Sequence, residues 1–426
     1  MTPFGRLDLG ARPVRVVSDP SSSICLLCRG TKFLCGKPSC PVLMRVGGFM
    51  KVKDVLDRSD LQGSSPPGVF VGRYGYPKVF VGPMVPPTVG DTSIMASPES
   101  WYHMPIGNFV EMMSSLVRGV HPVRVDRIAE AGRFMDDIHD LVLSSSSAYT
   151  EVEFSSPIRG RMTFSSDVEP FGPSGPVSDF DVSVGSTNAR VERAFEDTDL
   201  KAVDAMWTLY SSGEPVQVIQ RALSAGMLGT EKKRRLVPTR WSITAVDDSL
   251  AKRTRETVAT YPELGEYRLH HSRSMGNLYA VLLMPGPWSY EMIEVFHKGS
   301  IWNTWGDEIA MGGDSEGPEG RTTYASIGGC YYAGRLGALE HLESIHRNAT
   351  VVIIREALPS YVLPVGVWTV RQGVRDALTH SPLKLGSLET AISELSSLLR
   401  GPAAAIMRSS KIIRGLRTQT RITSYF

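Results

Sequence analysis

Four cysteines, Cys25, Cys28, Cys35 and Cys40, fall in one short stretch with the spacing C-x2-C-x6-C-x4-C. Thiolates this close in a reducing compartment predict a tetrahedral site for one Zn2+. A closed four-thiolate shell leaves no open position, so the expected zinc is structural rather than catalytic. Gly30, Gly36 and Pro38 let the chain turn back on itself. Arg29, Lys32 and Lys37 offset the negative charge of the thiolates, and Leu26, Leu27 and Phe33 offer apolar contact. An iron–sulfur cluster on the same thiolates, or unligated buried cysteines, are the alternatives. Cys330, in Ile327-Gly-Gly-Cys-Tyr-Tyr332, is remote from these and is expected to be a small buried hydrophobe.

The chain ends in Gln419-Thr-Arg-Ile422-Thr-Ser-Tyr425-Phe426. An aliphatic residue followed at i+3 and i+4 by aromatics places three apolar side chains on one side of a tight helical turn. Such a turn plugs a surface pocket, with Gln419 hydrogen-bonding beside it. The pattern resembles the PIP box, the peptide by which replication and repair proteins dock on the ring-shaped sliding clamp (PCNA). That resemblance implies Gln419, Ile422, Tyr425 and Phe426 as the clamp-binding residues. The alternative is a terminus folded back on its own core. From Gly401 onward there are five basic residues (Arg408, Lys411, Arg414, Arg417, Arg421) and no acidic one, after a helix-breaking Gly401-Pro402. This reads as a flexible basic tail steered toward an acidic clamp surface or DNA.

Cations and aromatics coincide at two further places. Arg73, Tyr74, Tyr76 and Lys78 sit at a predicted hairpin tip, and Lys232, Lys233, Arg234 and Arg235 precede Arg240 and Trp241. Both are candidate DNA-binding segments, the cations for phosphates and the rings for stacking on bases. The plain alternatives are a surface turn and a solvated loop ahead of a core tryptophan. Asp247-Asp248, and the group Asp307, Glu308, Asp314, Glu316 and Glu319, are the carboxylates a metal-dependent nuclease would need. Asp247-Asp248 is more simply a helix cap, and the second group a solvated loop. His270-His271 fits no metal-ligand spacing, and the sequence contains no P-loop, G-x-S-x-G or kinase signature.

At 426 residues the chain is long enough for two or more domains with real cores. Its apolar fraction of 42% and charged fraction of 21% are those of an ordinary globular protein. A formal net charge of +2 argues neither for nor against nucleic acid, so only local patches can. No apolar run reaches the ~18 residues of a membrane span, and no secretory signal is evident. A cytoplasmic protein, nucleoid-associated when engaged with DNA, is expected.

The elements predicted to position these groups are mixed. Val69-Phe-Val-Gly72 recurs as Val79-Phe-Val-Gly82 around a Gly/Pro turn, which predicts a β-hairpin. Helices are expected over 106–117, 125–143, 189–209, 216–225, 333–346, 367–378 and, capped by Ser387, along Leu388, Ile392, Leu395 and Leu399. Strands are expected over 149–154, 161–164, 241–246, 278–284, 288–297 and 350–356, with loops over 167–181 and 307–321. The fold class is therefore mixed α/β or α+β: an N-terminal zinc module on a helix/strand body, with a flexible basic C-terminal tail.

The four-cysteine motif and the terminal peptide together resemble the archaeal Nre DNA-repair family. Gly72-Arg-Tyr-Gly-Tyr-Pro77, Arg240-Trp-Ser-Ile243 and Met284-Pro-Gly-Pro-Trp-Ser-Tyr290 also look like that family. The resemblance runs from end to end. It divides the chain into a zinc-binding module (1–60), Nre N-terminal (61–235) and C-terminal (236–400) regions, and the tail (401–426). It implies a DNA-repair factor recruited by the sliding clamp, and supplies no catalytic activity. A metal-dependent nuclease, or a clamp-bound adaptor that does not touch DNA, are the rival readings.

Overall fold

The computed structural model describes residues 27–50, 52–55, 57–158, 172–303, 306 and 308–418. The chain divides into two units, Pro41–Leu250 and Met1–Cys40 with Ala251–Phe426. Each is a sheet with helices, so the body is mixed α/β.

The first unit opens with helix α1 (Pro41–Met50) and strands β1 (Asp60–Ser65), β2 (Val69–Val71) and β3 (Lys78–Val85). Helices α2 (Pro98–Trp101) and α3 (Ile106–Ser114) lead to strand β4 (Val117–Arg124), helix α4 (Arg133–Leu143), and strands β5 (Ala148–Phe154) and β6 (Ser174–Ser183). These six strands are ordered β1-β5-β6-β4-β3-β2. The duplicated Val-Phe-Val-Gly segments form the expected hairpin, with Val69 opposite Pro83 and Val71 opposite Val81. Helix α4 turns Met135, Ile138, Leu141 and Val142 inward, an i, i+3, i+6, i+7 stripe that buries one face. Helices α5 (Ala189–Glu196), α6 (Ala202–Ser211) and α7 (Val216–Ser224) follow, and α8 (Thr239–Val258) runs into the second unit.

The second unit holds β7 (Tyr267–Ser274), β8 (Asn277–Met284), β9 (Ser289–Phe296), β10 (Ala310–Glu316), helix α9 (Gly329–Ser344), β11 (Thr350–Ala357), α10 (Trp368–Thr379) and β12 (Leu383–Leu385). Helices α11 (Leu388–Leu398), α12 (Ala403–Ser409) and α13 (Lys411–Thr418) complete it. The sheet order is β10-β9-β11-β8-β7-β12. Every residue of β8 and β11 is buried, as the uninterrupted apolar runs Leu-Tyr-Ala-Val-Leu-Leu-Met and Val-Val-Ile-Ile require of strands covered on both faces. Met275 and Gly276 link β7 to β8 with φ of 48° and 78°, the two positive values of a tight hairpin turn. A Cβ on Gly276 would stand 2.3 Å from Tyr361 N, so no larger residue fits. One sheet face, with Leu278, Ala280, Leu282, Ile293, Val352 and Ile354, packs with Ile392, Leu395, Ile406 and Ile413 of the last three helices.

Several sequence expectations are corrected. The segment 241–246 is not a strand but the first turns of α8, whose Val246, Leu250, Ala251, Thr254 and Val258 are buried at helical spacing. The segment 106–117 stops being helical at Ser114, and 117–124 is a strand. Residues 189–209 form two helices, broken where Asp197 Oδ1 accepts from the N–H groups of Asp199 and Leu200. Strand β10 replaces the middle of the 307–321 loop, and β6 part of the 167–181 loop, because each finds a neighbouring strand to pair with. The tail expected from Gly401 is helical and packed through Thr418. The strand expected over 161–164 lies outside the described residues.

Candidate nucleic-acid interface

The hairpin tip and the start of α8 meet in the first unit. The rings of Tyr76 and Trp241 are 5.3 Å apart between centroids and inclined at 51°. Val71 N donates to Thr239 Oγ1 at 2.9 Å, which ties the hairpin to the first turn of α8. Gly75 makes the turn possible: its φ is 82°, and a Cβ there would stand 2.7 Å from Lys78 O. Tyr76 and Trp241 remain 49% and 45% exposed, and Tyr74 is 74% exposed with Arg73 over its ring at 5.1 Å. Phe80 adds a ring that sequence reasoning missed. Val79 and Val81 point into the core, so the alternation of β3 sends Phe80 outward, half exposed. Exposed Lys78 lies on the same face, opposite Arg124. Arg240 is exposed one residue before Trp241. Two half-exposed rings beside cations form a surface on which an unpaired base can stack.

The basic run divides. Lys232, Lys233 and Arg235 are exposed. Arg234 is committed to its own unit: Nε donates to Gly229 O at 2.7 Å, Nη2 to Asp197 O at 2.9 Å, and its guanidinium lies over Phe195.

Among the described residues, the candidate carboxylates do not build a metal cleft. Asp247 is not a helix cap: it is fully buried inside α8 and accepts from Gln220 Nε2 at 3.0 Å, and Asp248 follows it in the same helix. Asp314 pairs with Arg321 at 2.9 Å and accepts from Ser326 N. Glu316 is buried against Arg335 at 2.9 Å and Trp288 Nε1 at 3.1 Å. Glu308 and Glu319 are exposed, and Asp307 lies outside the described residues. Among the described residues, no three His, Cys, Asp or Glu side chains gather around a common point. His270 is buried with Nδ1 3.0 Å from His380 O, while His271 faces outward.

Cys330 is only half-buried, and its Sγ is 3.6 Å from Arg355 Nη1. Arg355 is itself buried, bonded to Glu294 at 2.7 Å and to Asn277 at 2.9 Å. Cys330 is therefore a polar neighbour of a buried ion pair rather than an inert hydrophobe.

Of the four clustered cysteines, Cys28 is buried, Cys35 and Cys40 are half-buried, and Cys25 lies outside the described residues. The chain winds between them through left-handed backbone at Arg29, Gly30, Phe33 and Gly36. The backbone N–H of Leu34, joined by those of Lys32, Gly30 and Phe33, draws the Cys28 thiol below its ordinary range against the opposing effect of burial. Backbone donors near the sulfur suit a thiolate, but Cys28, Cys35 and Cys40 are not brought together as a metal-ligating group among the described residues. Lys37 turns inward and donates to Gly299 O at 2.8 Å; burial pushes its ammonium down to about 8.

At the other end of the chain, two carboxylates hold the last helices. Glu356 accepts from the N–H groups of Arg400 and Gly401 at 2.8 and 2.7 Å and from His297 at 3.0 Å. Glu291 accepts from Lys411 N at 2.7 Å, Ile412 N at 3.2 Å and the Ser410 hydroxyl. The first N–H groups of a helix have no partners inside it, and here a sheet residue supplies them. Gln419, Ile422, Tyr425 and Phe426 lie outside the described residues.

Comparison with known proteins matches residues 34–303 to the family described as archaeal Nre, N-terminal, and residues 316–425 to archaeal Nre, C-terminal. The chain is 40% identical over 369 residues to a protein of Archaeoglobus fulgidus named DNA repair protein NreB, covering 86% of this chain and 91% of that one. It is 33% identical to DNA repair protein NreA of the same organism, covering 87% and 93%. To DNA repair protein NreA of Haloferax volcanii it is 32% identical, covering 86% and 90%. No solved structure matches. Two family models that between them take in most of the chain, and relatives matched over nearly their whole length, establish that this protein belongs to the archaeal Nre family.

Proposed function

We propose that this protein is a DNA-repair factor that binds single-stranded or damaged DNA on the Tyr76–Trp241 surface and is recruited by the sliding clamp through Gln419, Ile422, Tyr425 and Phe426. The relatives' names support the repair role. The observation that carries the DNA reading is the meeting of Tyr76 and Trp241, far apart in sequence, as half-exposed rings beside Arg73, Lys78 and Arg240. Buried rings would have favoured a purely structural tryptophan. Replacing Tyr76 and Trp241 by alanine is expected to weaken binding to a single-stranded oligonucleotide by tenfold or more, since each stacked base is worth about 1–3 kcal/mol. Fluorescence anisotropy across a salt series checks this, and unchanged affinity would refute the platform.

Cys25, Cys28, Cys35 and Cys40 are proposed to hold one Zn2+, which when bound ties the N-terminal loops together. The lowered Cys28 thiol supports this reading. The nuclease reading is the weaker one: Asp314 and Glu316 are paired to arginines and Asp247 is buried within a helix.

A further inference from the structure

Helices α12 and α13 present a second surface. Ile406, Met407 and Ile413 are buried, and Ile412 and Leu416 pack against the sheet. Arg408 of α12 and Lys411, Arg414 and Arg417 of α13 are all exposed. Lys411, Arg414 and Arg417 recur every third residue, so they trace a slanted stripe along the exposed part of the helix, rising about 4.5 Å and drifting about 60° per step. None of the four is paired with a carboxylate among the described residues. Gly415 sits among them with no atom within 4 Å of where a Cβ would stand, which leaves the helix backbone open to close approach. Glu291 and Ser410 hold the helix start, so these cations are presented on a fixed frame rather than on a mobile tail.

We propose that this four-cation face is a binding site for the phosphate backbone of duplex DNA, distinct from the aromatic surface of the first unit. Residues 401–418 contain no aromatic residue, so the face cannot stack on bases and reads charge alone. Regular cations without rings suit a duplex, whose bases are already stacked and whose phosphates line the outside. Four neutralised phosphates contribute about 3 to 4 to the slope of log K against log salt.

The test is the full-length chain carrying Arg408→Gln, Lys411→Gln, Arg414→Gln and Arg417→Gln, titrated with a fluorescent duplex at several salt concentrations. Glutamine keeps helix propensity and the positions are exposed, so the fold is expected to survive. The expected result is a salt slope shallower by about 3 to 4, and affinity restored when the four positions carry lysine or arginine exchanged for one another. An unchanged slope would overturn the proposal. So would a variant that binds duplex normally but loses affinity for the clamp, because the face would then serve the ring. If the quadruple variant does not fold, the Arg414→Gln, Arg417→Gln pair replaces it, with a slope change of about 2 expected. The inference rests on the DNA-repair reading but not on the stacking platform. The Tyr76→Ala, Trp241→Ala variant should lose single-strand affinity while keeping this duplex salt slope, so the two failures are distinguishable.

Discussion

Glu291 and Ser410 are 119 residues apart in the chain and meet in the interior of the second unit, where the serine hydroxyl donates to the carboxylate. The same hydroxyl accepts from Ile413 N at 3.0 Å, capping α13, while Glu291 takes the N–H groups of Lys411 and Ile412. One buried carboxylate thus fixes where helix α13 begins.

Replacing Glu291 with alanine should therefore release α13. Hydrogen bonds to a charged group are worth about 1.5–3 kcal/mol each, and removal leaves Ser410 and two N–H groups without their acceptor. Hydrogen exchange is expected to accelerate across 411–418 while β8 and β11 stay protected. Equal protection in the variant would show that apolar packing of Ile413 alone holds the helix.

Deleting 419–426 is expected to abolish binding to the sliding clamp without lowering the melting temperature. A Tyr425→Ala, Phe426→Ala double variant should behave the same way, because both pocket anchors are lost. Calorimetric titration with the clamp measures this, and retained affinity would place the docking site elsewhere.

Metal analysis of protein prepared without chelators should find one zinc per chain. Cys35→Ser should lose it and loosen the N-terminal loops while the distant sheet of the second unit persists. Iron in place of zinc would assign the thiolates to a cluster.

Asp137 offers a pH-dependent check. Burial raises its carboxyl to about 6; Arg133 at 3.6 Å opposes the shift, and Asp181, Asp140 and Asp136 add to it. The folded pKa lies above the unfolded value, so the unfolded state releases its proton first as pH rises. Stability is then lost between about pH 4 and pH 6. Asp137→Asn, which imitates the neutral form, should raise the melting temperature at pH 8 and change it little at pH 4. A gain of equal size at both pH values would disprove the titration account.

What the sequence determined by itself was local. The spacing of the four cysteines, the terminal pattern and the family resemblance need no tertiary information. Neither does the hairpin of the repeated Val-Phe-Val-Gly segments, whose partners lie a few residues apart. The buried strands Leu278–Met284 and Thr350–Glu356 were legible because apolar runs of that length have few other homes, and Ser387 caps its helix as its type suggests. Tertiary structure decided whatever depended on distant partners. Trp241 lies on a helix because Val246, Leu250 and Val258 find buried positions at helical spacing. The Gly-rich acidic segment became a strand because β9 offered its free edge. The expected tail became two helices because a sheet face received Ile406 and Ile413, while Glu356 and Glu291 supplied acceptors for the chain entering them. The Tyr76–Trp241 surface exists only once the hairpin is seated against α8, through side chains whose sequence separation leaves no local trace.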